Sequence, residues 1–264
     1  MRAFRYVTLD PTGNTTCLVL DPVEKADEKS LTRELLKECE QVAYLEAPSA
    51  PGAAAAIRLM GGEFCGNAAM ASAAWLVRNE PGQGGPVAFL LEVSGAREPV
   101  LCTVQKAEGG FEGTVEMPGV PEISRENFFG VPLTLVRIEG IAHLIYEGEP
   151  MADCAAEELL KKIAGVLPDE AAGLLQWNRE TGVMRPLVYV RGSGSLVWEH
   201  GCGSGSAAVG ALESLRAGDG RRVTPVEQPG GVIRAAAEAE NGKIVSVEIT
   251  GKIRFGQQSV IEIP

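Results

Sequence analysis

The chain has 264 residues, with 24 Lys+Arg against 35 Asp+Glu and a formal net charge of −11. That length fits one large or two medium domains, and the acidic balance argues against nucleic-acid or anionic-membrane partners, which need basic surface. The only two histidines, His143 and His200, are too few for a multi-histidine metal site within one chain, so no metal is expected.

Taken in chain order, the elements read mostly as strands with a few helices. The N-terminus, Met1-Arg2-Ala3-Phe4-Arg5-Tyr6, lacks the apolar segment of a signal peptide. Phe4–Leu9 and Thr15–Leu20 are β-rich runs separated by the turn-forming Asp10-Pro11-Thr12-Gly13-Asn14. Glu28–Cys39 carries Leu31, Leu35 and Cys39 at i, i+4 and i+8 and predicts a surface helix. Val42–Leu45, Ala54–Met60, Val87–Val93 and Leu101–Lys106 are candidate strands, with a turn at Pro81–Pro86. The Met117-Pro118-Gly119-Val120-Pro121 cluster marks the candidate domain boundary. Asp153 is the expected N-cap of a helix running through Leu167, where Pro168 stops it. Leu187–Val190, Ser195–Glu199, Ile244–Thr250 and Ser259–Ile263 predict further strands, with a turn at Gln228–Gly231. No apolar run approaches the roughly 20 residues of a membrane span, and the expected location is the cytoplasm, with reduced thiols.

Six cysteines occur, at 17, 39, 65, 102, 154 and 202, with no CxxC pair. Two of them sit in matching surroundings. Glu63-Phe64-Cys65-Gly66-Asn67-Ala68-Ala69 and His200-Gly201-Cys202-Gly203-Ser204-Gly205-Ser206 each read as a strand, a sharp Cys-Gly turn and a helix of small residues. Aligned on the cysteines they share Ala71 with Ala208 and Ala74 with Ala211, and they lie half a chain apart. That spacing predicts an internal duplication with one cysteine per half. Neither helix carries a charge before Arg78 or Glu213, so both are expected to be central and wrapped by strands. The other four cysteines read as packing.

A cysteine at a helix start meets free backbone N–H groups and the positive end of the dipole. There the thiolate is favoured, and the same amides can hold a ligand carboxylate. Two such sites could hold an amino acid between two thiols, one removing the α-proton and the other delivering a proton to the opposite face. The helix N-termini would stabilise the charge that develops on the carboxylate, with no cofactor required. Glu63 and Glu199 lie close in sequence to the cysteines and, if also close in space, would raise the thiol pKa.

These paired motifs resemble the diaminopimelate epimerase family of cofactor-independent racemases. The resemblance rests on Cys65-Gly66-Asn67, Cys202-Gly203-Ser204-Gly205, Gly13-Asn14 and Gln41. Glu40-Gln41-Val42, Gly62–Ala68, Ser195–Glu199 and Gln228-Pro229-Gly230-Gly231 are more similar to the histidine racemases that feed staphylopine-type metallophore synthesis. The distal-group ligands of the diaminopimelate enzymes have no match at Leu59-Met60, Gly140–His143 or Arg191–Ser195. The resemblance implies an α+β fold of two pseudo-symmetric lobes, each a strand-rich barrel around a central helix, with the active site between them. The lobes would be 1–118 and 119–264, the last strand, about 258–264, packing back onto the first. Cys65 and Cys202 would be the two bases. Asn14, Glu40, Gln41, Gly66, Asn67, Glu199, Gly203 and Ser204 would bind the substrate, a small-molecule amino acid. A homodimer stays open as the assembly.

Three alternatives stand beside a histidine racemase. One is a racemase or epimerase of another amino acid, such as diaminopimelate. Another is a dinucleotide-binding oxidoreductase, since Gly203–Ala208 matches G-x-G-x-x-A, although Asp219, in a turn, is a poor acidic partner. The third is a non-catalytic binding protein, against which the two intact cysteines count.

Overall fold

The Asp10–Asn14 turn sets the first hairpin. β1 (Arg2–Pro11) passes through Thr12 and Gly13, both at positive φ, into the antiparallel β2 (Thr16–Val19). The Asp10 carboxylate accepts the N–H of Gly13 at 2.7 Å, an Asx-type turn. The computed structural model describes residues 1–79 and 85–264. They form two compact units, Met1–Glu116 with Thr250–Pro264, and Met117–Ile249.

In the first unit, α1 (Lys25–Leu35) carries the chain from β2 to the parallel β3 (Gln41–Glu46), burying Leu31 and Leu35. It ends four residues before Cys39, whose thiol instead donates to the carbonyls of Leu35 and Gln41 in the following turn. β4 (Ala53–Leu59) returns antiparallel to β3, and α2 (Gly66–Val77) crosses to β5 (Val87–Val93), parallel to β4. β6 (Val100–Ala107) and β7 (Gly110–Glu116) follow as antiparallel neighbours. Of the turn expected at Pro81–Pro86, residues 81–84 lie outside the described residues.

The second unit repeats this order. After β8 (Glu122–Phe128) come the antiparallel β9 (Val131–Ile138) and β10 (Ile141–Tyr146). α3 (Asp153–Ala164) crosses to the parallel β11 (Ala171–Asn178), and β12 (Val183–Val190) returns antiparallel. The N-cap of α3 is Ala152 rather than Asp153, and the helix ends at Ala164, short of Leu167, with Gly165 as its C-cap. β13 (Ser195–Trp198) pairs on β12; α4 (Gly203–Ala217) then leads to β14 (Gly220–Gln228), parallel to β12 at Val183 and Glu227. β15 (Gly231–Glu240) closes a hairpin across the turn expected at Gln228–Gly231. β16 (Lys243–Ile263) begins in the second unit and, from Thr250, belongs to the first. Its terminal part pairs antiparallel with β1 and β16 also neighbours β7, so the strands of the first unit close into a barrel.

The two cysteine helices are central, as their composition predicts. Every residue of α2 except Leu76 is buried, and α4 is buried from Gly205 to Ser214. Small residues permit this close approach. A Cβ on Gly113 in β7 would meet Ile253 Cδ1 at 2.6 Å and Met70 Cβ at 3.1 Å. A Cβ on Gly210 in α4 would meet that of Ala235 in β15 at 2.5 Å. The outer helices instead seal their cores with one apolar face. Leu31 and Leu35 join Phe4, Tyr6 and Tyr44, while Leu160 and Ile163 join Leu144, Leu174 and Leu187. Among the described residues no helix is long and apolar enough to cross a membrane.

Candidate active site

In each unit a strand pair delivers a cysteine to the start of the central helix. Cys65 is the N-cap of α2 with φ −137° and ψ 111°; Cys202 is the N-cap of α4 with φ −103° and ψ 105°. Both are extended residues immediately before a helix, so the free amides of the first turn follow each directly. Gly66 and Asn67 occupy those positions after Cys65 and are buried; Gly203 and Ser204 occupy them after Cys202. Cys65 is half-buried and Cys202 is buried.

The surroundings of Cys202 are closely specified. Gly205 donates its N–H to Sγ at 3.3 Å, and the Ser204 hydroxyl lies 3.6 Å from the same sulfur. Ser204 Oγ is also 2.9 Å from Nε2 of His143, on β10. Burial holds the His143 imidazole neutral, pushing its pKa down to about 3. Gly173 is its register partner on β11, and a Cβ there would come within 2.8 Å of Cε1. The helix N-terminus alone predicts a favoured thiolate at Cys202, but the thiol is pushed well above its usual range. Burial is the main cause. The Glu199 carboxylate adds to it by its charge and by accepting a hydrogen bond from the thiol, and together they outweigh Ser204 and the Gly205 N–H. Cys202 therefore rests protonated.

In the first unit, three of the expected substrate-binding residues form one hydrogen-bonded cluster. Asn14 donates from Nδ2 to Glu40 Oε2 at 3.1 Å, and Gln41 donates from Nε2 to Asn14 Oδ1 at 2.6 Å and to Thr16 Oγ1 at 2.8 Å. The amide of Gln41 is committed to holding Asn14, while Glu40 is exposed. Elsewhere, Trp198 donates to Glu157 at 3.2 Å with Arg185 stacked over its ring, and His200 is exposed.

Three residues near Cys202 were not among the predicted site residues. His143 reads equally as a core or a pocket residue in the sequence, and only the fold places it on Ser204. Gln228 and Ser206 bond to the Cys202 peptide itself. The signals for them were the Gln-Pro-Gly-Gly run and a hydroxyl one helical turn after Cys202. The dinucleotide reading of Gly203–Ala208 fails on topology. The strand immediately before this helix, β13, runs antiparallel to β12, whereas a dinucleotide fold needs a parallel strand–helix–strand unit. Among the described residues no cluster of three metal-ligating side chains occurs.

Known proteins resemble the chain over nearly its whole length. Residues 3–259 match the family model described as the histidine racemase CntK N-terminal domain. A histidine racemase of Fusobacterium nucleatum subsp. nucleatum is 28% identical over 267 residues, covering 96% of this chain and 97% of that protein. A histidine racemase of Staphylococcus aureus is 27% identical over 261 residues, covering 88% of each. In three dimensions, a probable proline racemase from Agrobacterium radiobacter superposes with a TM-score of 0.72 at 16% identity, covering 99% of this chain and 93% of that one.

A duplicated fold, matched over nearly its whole length by histidine racemases, defines an enzyme of the isomerase class that racemises or epimerises amino acids. Within that class, the chain belongs to the family of the histidine racemase CntK N-terminal domain.

Proposed function

We propose that the protein is a cofactor-independent histidine racemase in which Cys65 and Cys202 act as a pair of acid–base groups. The observation that carries this reading is the equivalence of the two cysteines: each is the extended N-cap of the buried central helix in one copy of a repeated topology. The histidine racemases among its relatives support histidine as the substrate.

In this mechanism the amides at the starts of α2 and α4, from Gly66, Asn67, Gly203 and Ser204, bind the substrate carboxylate. One cysteine, as thiolate, takes the α-proton: the Cα–H bond breaks, an S–H bond forms, and the electron pair delocalises into the carboxylate. The helix N-termini stabilise that charge. The other cysteine, as thiol, gives its proton to the opposite face and becomes the thiolate. The reverse reaction then starts from the exchanged protonation states. The protonated resting state of Cys202 suits it to the donor role first. The Asn14–Glu40–Gln41 cluster supplies an acidic contact for an imidazole side chain.

Chiral chromatography of an amino-acid panel after incubation with the wild type and with Cys65→Ser and Cys202→Ser tests the proposal. Wild-type enzyme is expected to racemise histidine in preference to diaminopimelate, and each serine variant to lose turnover by more than about 10³-fold. A serine variant with wild-type turnover overturns the two-thiol mechanism.

A further inference from the structure

We propose that Gln228 is a positioning residue for Cys202, acting through a closed ring of hydrogen bonds that fixes the peptide on both sides of the cysteine. The Cys202 N–H donates to Gln228 Oε1 at 2.7 Å. Gln228 Nε2 donates to Ser206 Oγ at 2.8 Å, and the Ser206 hydroxyl donates to the Cys202 carbonyl at 2.8 Å. Each of the three groups donates once and accepts once, so the ring has a consistent direction and leaves none of these atoms competing for the thiol. Gln228 and Ser206 are buried, at 4% and 0% exposure, so water cannot substitute for them. The same turn is anchored a second time, where Gly230 donates its N–H to the carbonyl of His200 at 2.7 Å.

The ring acts on geometry. Holding both the N–H and the C=O of Cys202 fixes its φ and ψ, and that conformation directs Sγ back onto the N–H of Gly205. Cys65 lacks this arrangement because the residue four positions on, the counterpart of Ser206, is Ala69. Its carbonyl accepts the helical N–H of that residue, at 3.0 Å. The two half-sites are therefore built differently, and the locked one carries the buried thiol.

The inference rests on the reading of Cys202 as an acid–base group. Ser206→Ala and Gln228→Leu test it in the full-length enzyme. Ser206→Ala removes two of the three bonds with a residue that the counterpart helix already accommodates. Both variants are expected to lower kcat/KM for histidine by about 10–100-fold, chiefly in kcat, as a small displacement of a reacting group does. Because the two enantiomers are equal in energy, the loss in kcat/KM must be the same from L- and from D-histidine. Peptide-mapped alkylation is expected to show Cys202 reacting only at higher pH than in the wild type, since the Gly205 N–H no longer favours its thiolate, with Cys65 unchanged. Should Gln228→Leu fail to fold, Ser206→Ala decides. Ser206→Ala with wild-type kcat/KM and an unmoved Cys202 alkylation profile, beside an inactive Cys202→Ser, overturns the positioning role. Wild-type turnover by Cys202→Ser overturns the underlying reading together with it.

Discussion

Nε2 of His143 lies 2.9 Å from the hydroxyl of Ser204, which in turn lies 3.6 Å from the sulfur of Cys202. The imidazole is wholly buried and neutral. A neutral ring can donate to Ser204 from Nε2 or accept from it, depending on its tautomer. With Nε2 donating to Ser204, the serine hydroxyl is left to face the cysteine as a donor when sulfur is a thiolate.

The neutral state of His143 makes stability depend on pH. Its folded pKa, about 3, lies below the ordinary 6.5, so the unfolded chain binds a proton that the folded one does not. This contribution is complete above about pH 6.5 and is lost as pH falls toward 3. Denaturant unfolding at pH 7 and pH 5 is expected to show wild type losing more stability than His143→Leu over that interval. An equal loss in the two proteins contradicts the assignment.

Gly173 gives the ring its space. Gly173→Ala places a methyl against the imidazole, and such overpacking costs about 1–3 kcal/mol. The penalty is expected to disappear in a His143→Ala background, a non-additivity visible in thermal melts of the four proteins of the cycle. Additive losses would show that the glycine is needed for another reason.

Glu199 raises the Cys202 thiol. Glu199→Gln removes the charge and is expected to lower the Cys202 pKa, so that alkylation of this residue at pH 8 becomes faster. Mass-spectrometric rates at Cys202 check it, and an unchanged or slower rate contradicts it.

The cysteine helices were legible in the sequence because their signal is local. An uncharged run of small residues after Cys-Gly has no exposed face to offer, and α2 and α4 are buried accordingly. β8 was missed because it is an almost wholly exposed strand, Glu122–Phe128, without apolar alternation. β14 and β15 were missed because only the Gln228–Gly231 turn between them carried a signal. Residues that adjoin Cys202 in the chain, as Glu199 and Ser204 do, are readable as its neighbours from the sequence. His143 and Gln228 reach Cys202 from strands distant in sequence, and only strand pairing makes them neighbours. Gln41 reads as a substrate contact in the sequence, and its amide N–H groups donate to Asn14 and Thr16.

That commitment makes Gln41 a buttress. Gln41→Leu leaves buried acceptors on Asn14 and Thr16 without their donor, at a cost of about 1–3 kcal/mol. Calorimetry is expected to show the loss of stability, and steady-state kinetics a raised KM as Asn14 and Glu40 lose their alignment. Wild-type stability would remove the buttress role.

The proposed mechanism has two thiols exchange the α-proton of an amino acid without a cofactor. Proton NMR of L-histidine in D₂O, with purified protein and a reductant and nothing else added, decides the matter. Loss of the α-proton signal is expected, with deuterium at Cα and D-histidine appearing as the product. Retention of the α-proton by histidine and by every other amino acid tried would contradict it.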